Sequence, residues 1–149
     1  LITRSAHNAD LEVRTEAEFI AALICDPAAI PQVREILTAR HFSTPACRAV
    51  YEAALRLHDA GTALTLSTIA TSFNGELASI EFGGESGYPA IVALTQASLG
   101  AIGTPFGYLP ELQNGFKRRQ QRQLMVEAAA IIDNPSASTE EAASLLQAA

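Results

Sequence analysis

Apolar residues recur at helical spacing from Glu16 to Phe73, interrupted only by caps and prolines, and this pattern commits the chain to a stack of short amphipathic helices. Phe19, Ile20, Leu23 and Ile24 fall at i, i+1, i+4 and i+5, one face of a helix that opens at Glu16 and stops at Asp26-Pro27. Ile30, Val33, Ile36 and Leu37 form the next apolar set, and proline's missing N–H places that helix start near Pro31. Thr44 and Pro45 supply a hydroxyl N-cap followed by proline at the first helical position. Cys47, Val50, Tyr51, Ala54, Leu55 and His58 then carry an apolar face to Gly61, a left-handed C-cap. Thr65 caps a fourth helix with Leu66, Ile69, Ala70 and Phe73 on one side, and Asn74-Gly75 ends it. Glu16 and Glu18, at the expected start of the first helix, complement its dipole and need no acid–base role.

The remaining segments are more open. Leu1 to Arg14 is polar and aperiodic, which predicts a flexible N-terminal arm over 1–14. Glu76 to Pro89, with Gly83-Gly84 and Gly87, reads as a loop whose Leu77, Ile80 and Phe82 tuck against the core. Pro89 to Ser98 predicts a fifth helix. After Thr104-Pro105 the glycines and Pro110 make the entry irregular, so a long helix is expected from about Pro110 to Asp133. Ser138 with Glu141 forms a capping-box pattern ahead of a last helix that the chain leaves truncated. The expected fold class is all-α: a helical head of about five helices over 15–103, then a helical hairpin over 104–149.

The ordered run EAEFIAALICDPAAIPQVREIL…HFSTPACRAVYEAALRLHDAGTALTLSTIA resembles the amino-terminal domain of DnaB-type replicative DNA helicases. Glu16, Ala17, Glu18, Asp26, Pro27, Phe42, Arg48, Val50, Tyr51, Gly61, Leu66, Thr68 and Ile69 carry the match. The resemblance extends from about Thr15 to the end and is strongest up to Phe73. The sequence departs from the family by a few inserted residues after Glu76, and by Ile91 where the family has a tyrosine. Membership would imply a protein–protein interaction module, with no catalysis of its own, from a cytoplasmic enzyme of DNA replication. Such domains pair as homodimers through their hairpins and assemble as a trimer of dimers, a collar that docks primase or a helicase loader in the primosome. A separate motor domain, absent from this chain, would bind ATP and Mg and reach single-stranded DNA. The alternative is a stand-alone phage- or plasmid-type helical adaptor that binds a replication protein. A small α-helical enzyme is the third reading.

Composition narrows the functions further. The 149 residues suffice for one ordinary domain, and the net charge of −6 disfavours a free-standing binder of duplex DNA. No apolar run is long enough to cross a membrane. Cys25 and Cys47 lie on apolar helix sides, where free thiols act as small hydrophobes. His7, His41 and His58 lack zinc-ligand spacing, so no metal is expected; His41 is read as capping the turn before Thr44, and His58 as a partnered residue on a buried edge. The chain's one lysine, Lys117, follows Phe116 rather than glycine, so there is no P-loop, no cofactor is expected, and no catalytic residue is assigned. Gly83-Gly84-Glu85-Ser86-Gly87 reads as a flexible linker because it lacks the flanking strand that a phosphate loop requires.

Two features remain as candidate contacts. Lys117, Arg118, Arg119 and Arg122 spread over about 200° of the helix surface, which suits solvated flanks or, as the other reading, contact with a partner or nucleic acid. Leu109, Leu112, Phe116, Leu124, Ala128 and Ile131 recur mostly at steps of three or four, with Phe116 and Leu124 taken as close to a whole number of turns apart. With Leu145 and Leu146 from the return helix they are expected to form a stripe for self-association.

Overall fold

Three rings, Phe19, Phe42 and Tyr51, meet at the centre of the fold with centroids 5.7, 6.2 and 4.9 Å apart. Each is at most 1% exposed, and the tilted packing of aromatic pairs at this range adds to the free energy of their burial. The computed structural model describes residues 4–96, 104–133 and 147, with backbone alone for 4–9. The chain divides into two compact units, Leu1–Gln113 and Asn114–Ala149.

The first unit contains α1 (Arg4–Cys25), α2 (Ile30–Ile36), α3 (Pro45–Asp59), α4 (Leu66–Ser72) and α5 (Tyr88–Gln96). A two-stranded hairpin, β1 (Glu81–Phe82) and β2 (Glu85–Ser86), precedes α5, and α6 (Leu109–Asp133) begins in this unit. The architecture is all-α as expected. At its middle, α3 packs on α1, α2, α4 and α5, while α1 also lies against α5 and the 3₁₀ turn Pro105–Tyr108. Phe19, Ile20 and Leu23 of α1, Val50 and Tyr51 of α3, Ile69 of α4, and Ile91 and Leu94 of α5 share one hydrophobic core.

Local chemistry explains most boundaries. Proline occupies an early position in both α2 and α3, where its missing N–H has no intrahelical partner to lose. Thr65 caps α4 as expected: its Oγ1 accepts from the Thr68 N–H at 3.1 Å, and the Thr65 N–H donates to Thr68 Oγ1 at 2.9 Å. Past α3, Gly61 takes φ +70° and donates its N–H to the His58 carbonyl, the left-handed closure expected of glycine there. His41 Nδ1 accepts the Thr38 N–H at 3.0 Å, so it caps the 3₁₀ turn ahead of Thr44. Arg34 and Asp59 join α2 to the end of α3 through two contacts, 2.5 and 3.2 Å. The Arg34 guanidinium holds the Asp59 carboxyl below its ordinary value, first through the hydrogen bond and also through its charge.

Several local expectations are overturned. The 1–14 segment, expected as a loose arm, is helical from Arg4 and continuous with α1. No proline or glycine interrupts it, and Arg14 pairs with Glu18 one turn on. Glu16 and Glu18 therefore lie inside a helix, beyond reach of its N-terminal dipole. Thr44 makes no side-chain cap for α3; its hydroxyl is turned to Glu16, to which it donates. Ile36 is 43% exposed beside Leu37 at 1%, since α2 ends at Ile36 and the extended backbone of Leu37 turns that side chain inward. Cys25, the last residue of α1, is exposed, whereas Cys47 is buried. The 76–89 loop contains a 3₁₀ turn and the β1–β2 hairpin, whose Gly83 and Gly84 both have positive φ, the requirement of a type I′ turn.

Candidate interaction surface

Glu16 is the one buried charged residue among the described residues, 2% exposed in the middle of α1. Its carboxylate accepts the Ser43 N–H, the Ser43 hydroxyl at 3.0 Å and the Thr44 hydroxyl at 2.7 Å, tying α1 to the entry of α3. Three donors fill three of the roughly four lone-pair sites of the carboxylate, so the group serves as an anchor between the two elements. Burial, and then the Glu16 charge, push the neighbouring Cys47 thiol well above its ordinary value, opposed by a hydrogen bond with Thr44. A thiol held protonated in this way is a poor nucleophile. The Tyr51 hydroxyl donates to the Leu37 carbonyl at 2.8 Å, and burial pushes its pKa up to about 12. These polar groups of the head hold helices together.

The residues expected for self-association divide into two groups. Leu109 and Leu112, 8% and 3% exposed, belong to the hydrophobic core of the first unit and are covered within the protomer. Ala128 is buried at 2%, and Phe116, Leu124 and Ile131 are half-buried. Leu145 and Leu146 lie outside the described residues. The expected single stripe fails on helix geometry: eight residues make about 2.2 turns, so Leu124 is rotated by roughly 80° from Phe116.

The exposed apolar surface of α6 lies elsewhere. Met125, Val126 and Ile132 are 59%, 64% and 63% exposed, and Ala129 is exposed among them. Positions 125, 129 and 132 follow i, i+4, i+7 and share one face, with Val126 at its edge. Sequence reasoning passed over these residues by extending the Phe116 stripe, although their own spacing carries the signal. On the preceding turns Lys117, Arg118 and Arg122 are exposed and Arg119 is half-buried. The three arginines all engage in interactions within the chain.

Among the described residues no three His, Cys, Asp or Glu side chains converge as metal ligands, and no helix is long and apolar enough to cross a membrane. The model of the DnaB-like helicase N-terminal domain family matches residues 8–101. No curated protein sequence matches the chain. Among solved structures, the fold is similar to the N-terminal domain of DnaB helicase from Mycobacterium tuberculosis, with a TM-score of 0.74 and 19% identity over 91% of this chain and 96% of that one. The family match takes in α2 to α5 entire and most of α1, the elements that build the aromatic-centred core. By that match, this chain belongs to the family of DnaB-like helicase N-terminal domains.

Proposed function

We propose that the chain is the oligomerisation and docking domain of a replicative DNA helicase, non-catalytic by itself, and that two copies pair through the exposed face of α6. The observation that carries this reading is the row Met125, Val126 and Ile132, about three-fifths exposed on one side of a helix. A protein of this family exposes such a row at the cost of unfavourable hydration unless another chain covers it. A two-fold axis along the face would place each apolar row against its own copy, the simplest closed solution. Paired domains then assemble further, as a trimer of dimers, into a collar that receives primase or a helicase loader. ATP, Mg and single-stranded DNA belong to a motor domain of the parent enzyme, in the cytoplasm.

Six large side chains enter such a pairing, three from each copy. Full burial of each is worth about 1.5–3 kcal/mol, and somewhat less from a partly covered start. Their sum, about 9–18 kcal/mol, set against the roughly 4–15 kcal/mol lost on association, allows a weak pair with a dissociation constant of about 10–100 micromolar. Sedimentation of the wild-type chain at a few hundred micromolar is expected to show dimer. The Val126→Glu/Ile132→Glu double variant should sediment as a monomer with an unchanged helical circular dichroism spectrum. A monomeric wild type at that concentration, or a double variant that still pairs, refutes pairing through this face.

A further inference from the structure

Within the head, one face of α3 and the stretch 72–80 leave between them a cleft of about 670 Å³, inside the roughly 300–1,000 Å³ range of ligand-sized sites. Phe73 and Ile80, 9% and 8% exposed, line its apolar part together with Ala49. Its polar part includes Glu52 and Arg56, one turn apart on α3, and Glu76 from the opposite wall. All three are exposed, and among the described residues none of their side chains takes part in a hydrogen bond or ion pair. Arg14 and Glu18, at the same i, i+4 spacing on α1, do pair. Glu52 and Arg56 thus stand apart along the cleft with their hydrogen-bonding capacity unspent.

The opposite wall is held in shape by its own bonds. Ser72 Oγ donates to the Ile69 carbonyl and Ser79 Oγ to the Glu76 carbonyl, both at 2.6 Å. Asn74 turns the chain between them with φ +53°, a conformation that asparagine tolerates better than most side chains. A wall fixed in this way costs little ordering when something binds.

We propose that this cleft docks a short extended segment of a partner protein carrying a lysine or arginine next to an apolar side chain. The apolar side chain rests on Phe73 and Ile80, and the cation lies between the Glu52 and Glu76 carboxylates. Arg56 takes a carbonyl or carboxylate oxygen of the same segment, which fixes its direction. Two carboxylates against one guanidinium give the cleft a net negative rim, which attracts a basic segment and repels a phosphate backbone. The cleft lies in the first unit, away from the Met125–Ile132 row in sequence and in compact unit, so this docking does not require the pairing proposed above.

The test is selection of a phage-displayed random heptapeptide library on the immobilised full chain. The enriched peptides should combine a basic residue with a neighbouring aliphatic or aromatic one. They should bind the Glu52→Lys/Glu76→Lys variant at least tenfold more weakly, and shift amide resonances of residues 49–56 and 72–80 in the wild type. Should the lysine variant fail to fold, the isosteric Glu52→Gln/Glu76→Gln variant carries the comparison, with a loss of at least threefold expected. No enrichment over bait-free selection, or enriched peptides that bind the variant as well as the wild type, overturns the proposal. A charge variant that changes the sedimentation of the chain identifies a second copy as the occupant, and likewise overturns it. Loss of pairing in the Val126→Glu/Ile132→Glu variant leaves peptide binding unchanged, so the two proposals fail separately.

Discussion

Replacing Glu16 by alanine removes the acceptor for three donors at the join between α1 and α3. The lost burial of one methylene, Cγ, is worth roughly 0.8 kcal/mol. The Ser43 N–H, left without its carboxylate, adds about 1–3 kcal/mol as an unsatisfied donor. The two hydroxyls belong to residues only half-buried, so they rotate toward water and add on the order of 1 kcal/mol between them. The sum, about 3–5 kcal/mol, is a large share of the roughly 5–15 kcal/mol that holds a typical domain together. Glutamine keeps the volume and one acceptor oxygen, and should cost about 1–2 kcal/mol. Urea titration followed by circular dichroism measures all three proteins; equal slopes assign the differences to stability rather than to a changed denatured state. In thermal melts the alanine variant should fall by roughly 2–4 °C per kcal/mol. An alanine variant within about 1 kcal/mol of the parent, or a glutamine variant as unstable as the alanine one, would show that the carboxylate is not the anchor described.

Two further outcomes follow from single residues. Gly61→Ala meets no atom within 4 Å of the added Cβ, so its loss is backbone strain alone at φ +70°, about 1–2 kcal/mol by urea titration. Tyr51, with its pKa pushed up to about 12 by burial, keeps its proton in the folded state where the unfolded chain loses it near 10. That contribution to stability is complete below about pH 10 and is lost as pH rises through about 12. Stability measured from pH 9 upward should therefore decline less steeply in Tyr51→Phe, which starts about 1 kcal/mol lower because the Leu37 carbonyl loses its donor.

What could be read from the sequence was what is decided within one helical turn. Thr65 and Thr68 are three residues apart, Pro45 follows its neighbour directly, and Gly61 closes the helix it adjoins, so each declared its role locally. Glu16 did not, because its donors sit 27 and 28 residues away in the chain, and a glutamate at a predicted helix start already had an adequate local reading. The extension of α1 back to Arg4 was hidden for a related reason. Its polar residues show no stripe, and one of its packing partners, the turn Pro105–Tyr108, comes far later in the chain. The β1–β2 hairpin has only two residues in each strand, too few for alternation to register. On α6, apolar residues fall on more than one face, and spacing alone could not say which face the fold would leave uncovered. The position of the exposed row had to come from burial.

The packing of α1 has a consequence for how the chain is made. Synthesis delivers α1 before the elements that cover it, because its apolar side is shared by α3, α5 and the turn Pro105–Tyr108. Until about residue 108 has left the ribosome, Phe19, Ile20 and Leu23 lack part of their cover. At roughly 5–20 residues per second, that interval lasts several seconds, far longer than the microsecond or shorter time a helix needs to form. Helix α1 therefore has time to coil well before the later elements of the head arrive to cover it. The polar stretch before residue 16 keeps the leading end of this helix hydrated, while the large apolar side chains Phe19, Ile20 and Leu23 stay within about 100° of one another on its later turns.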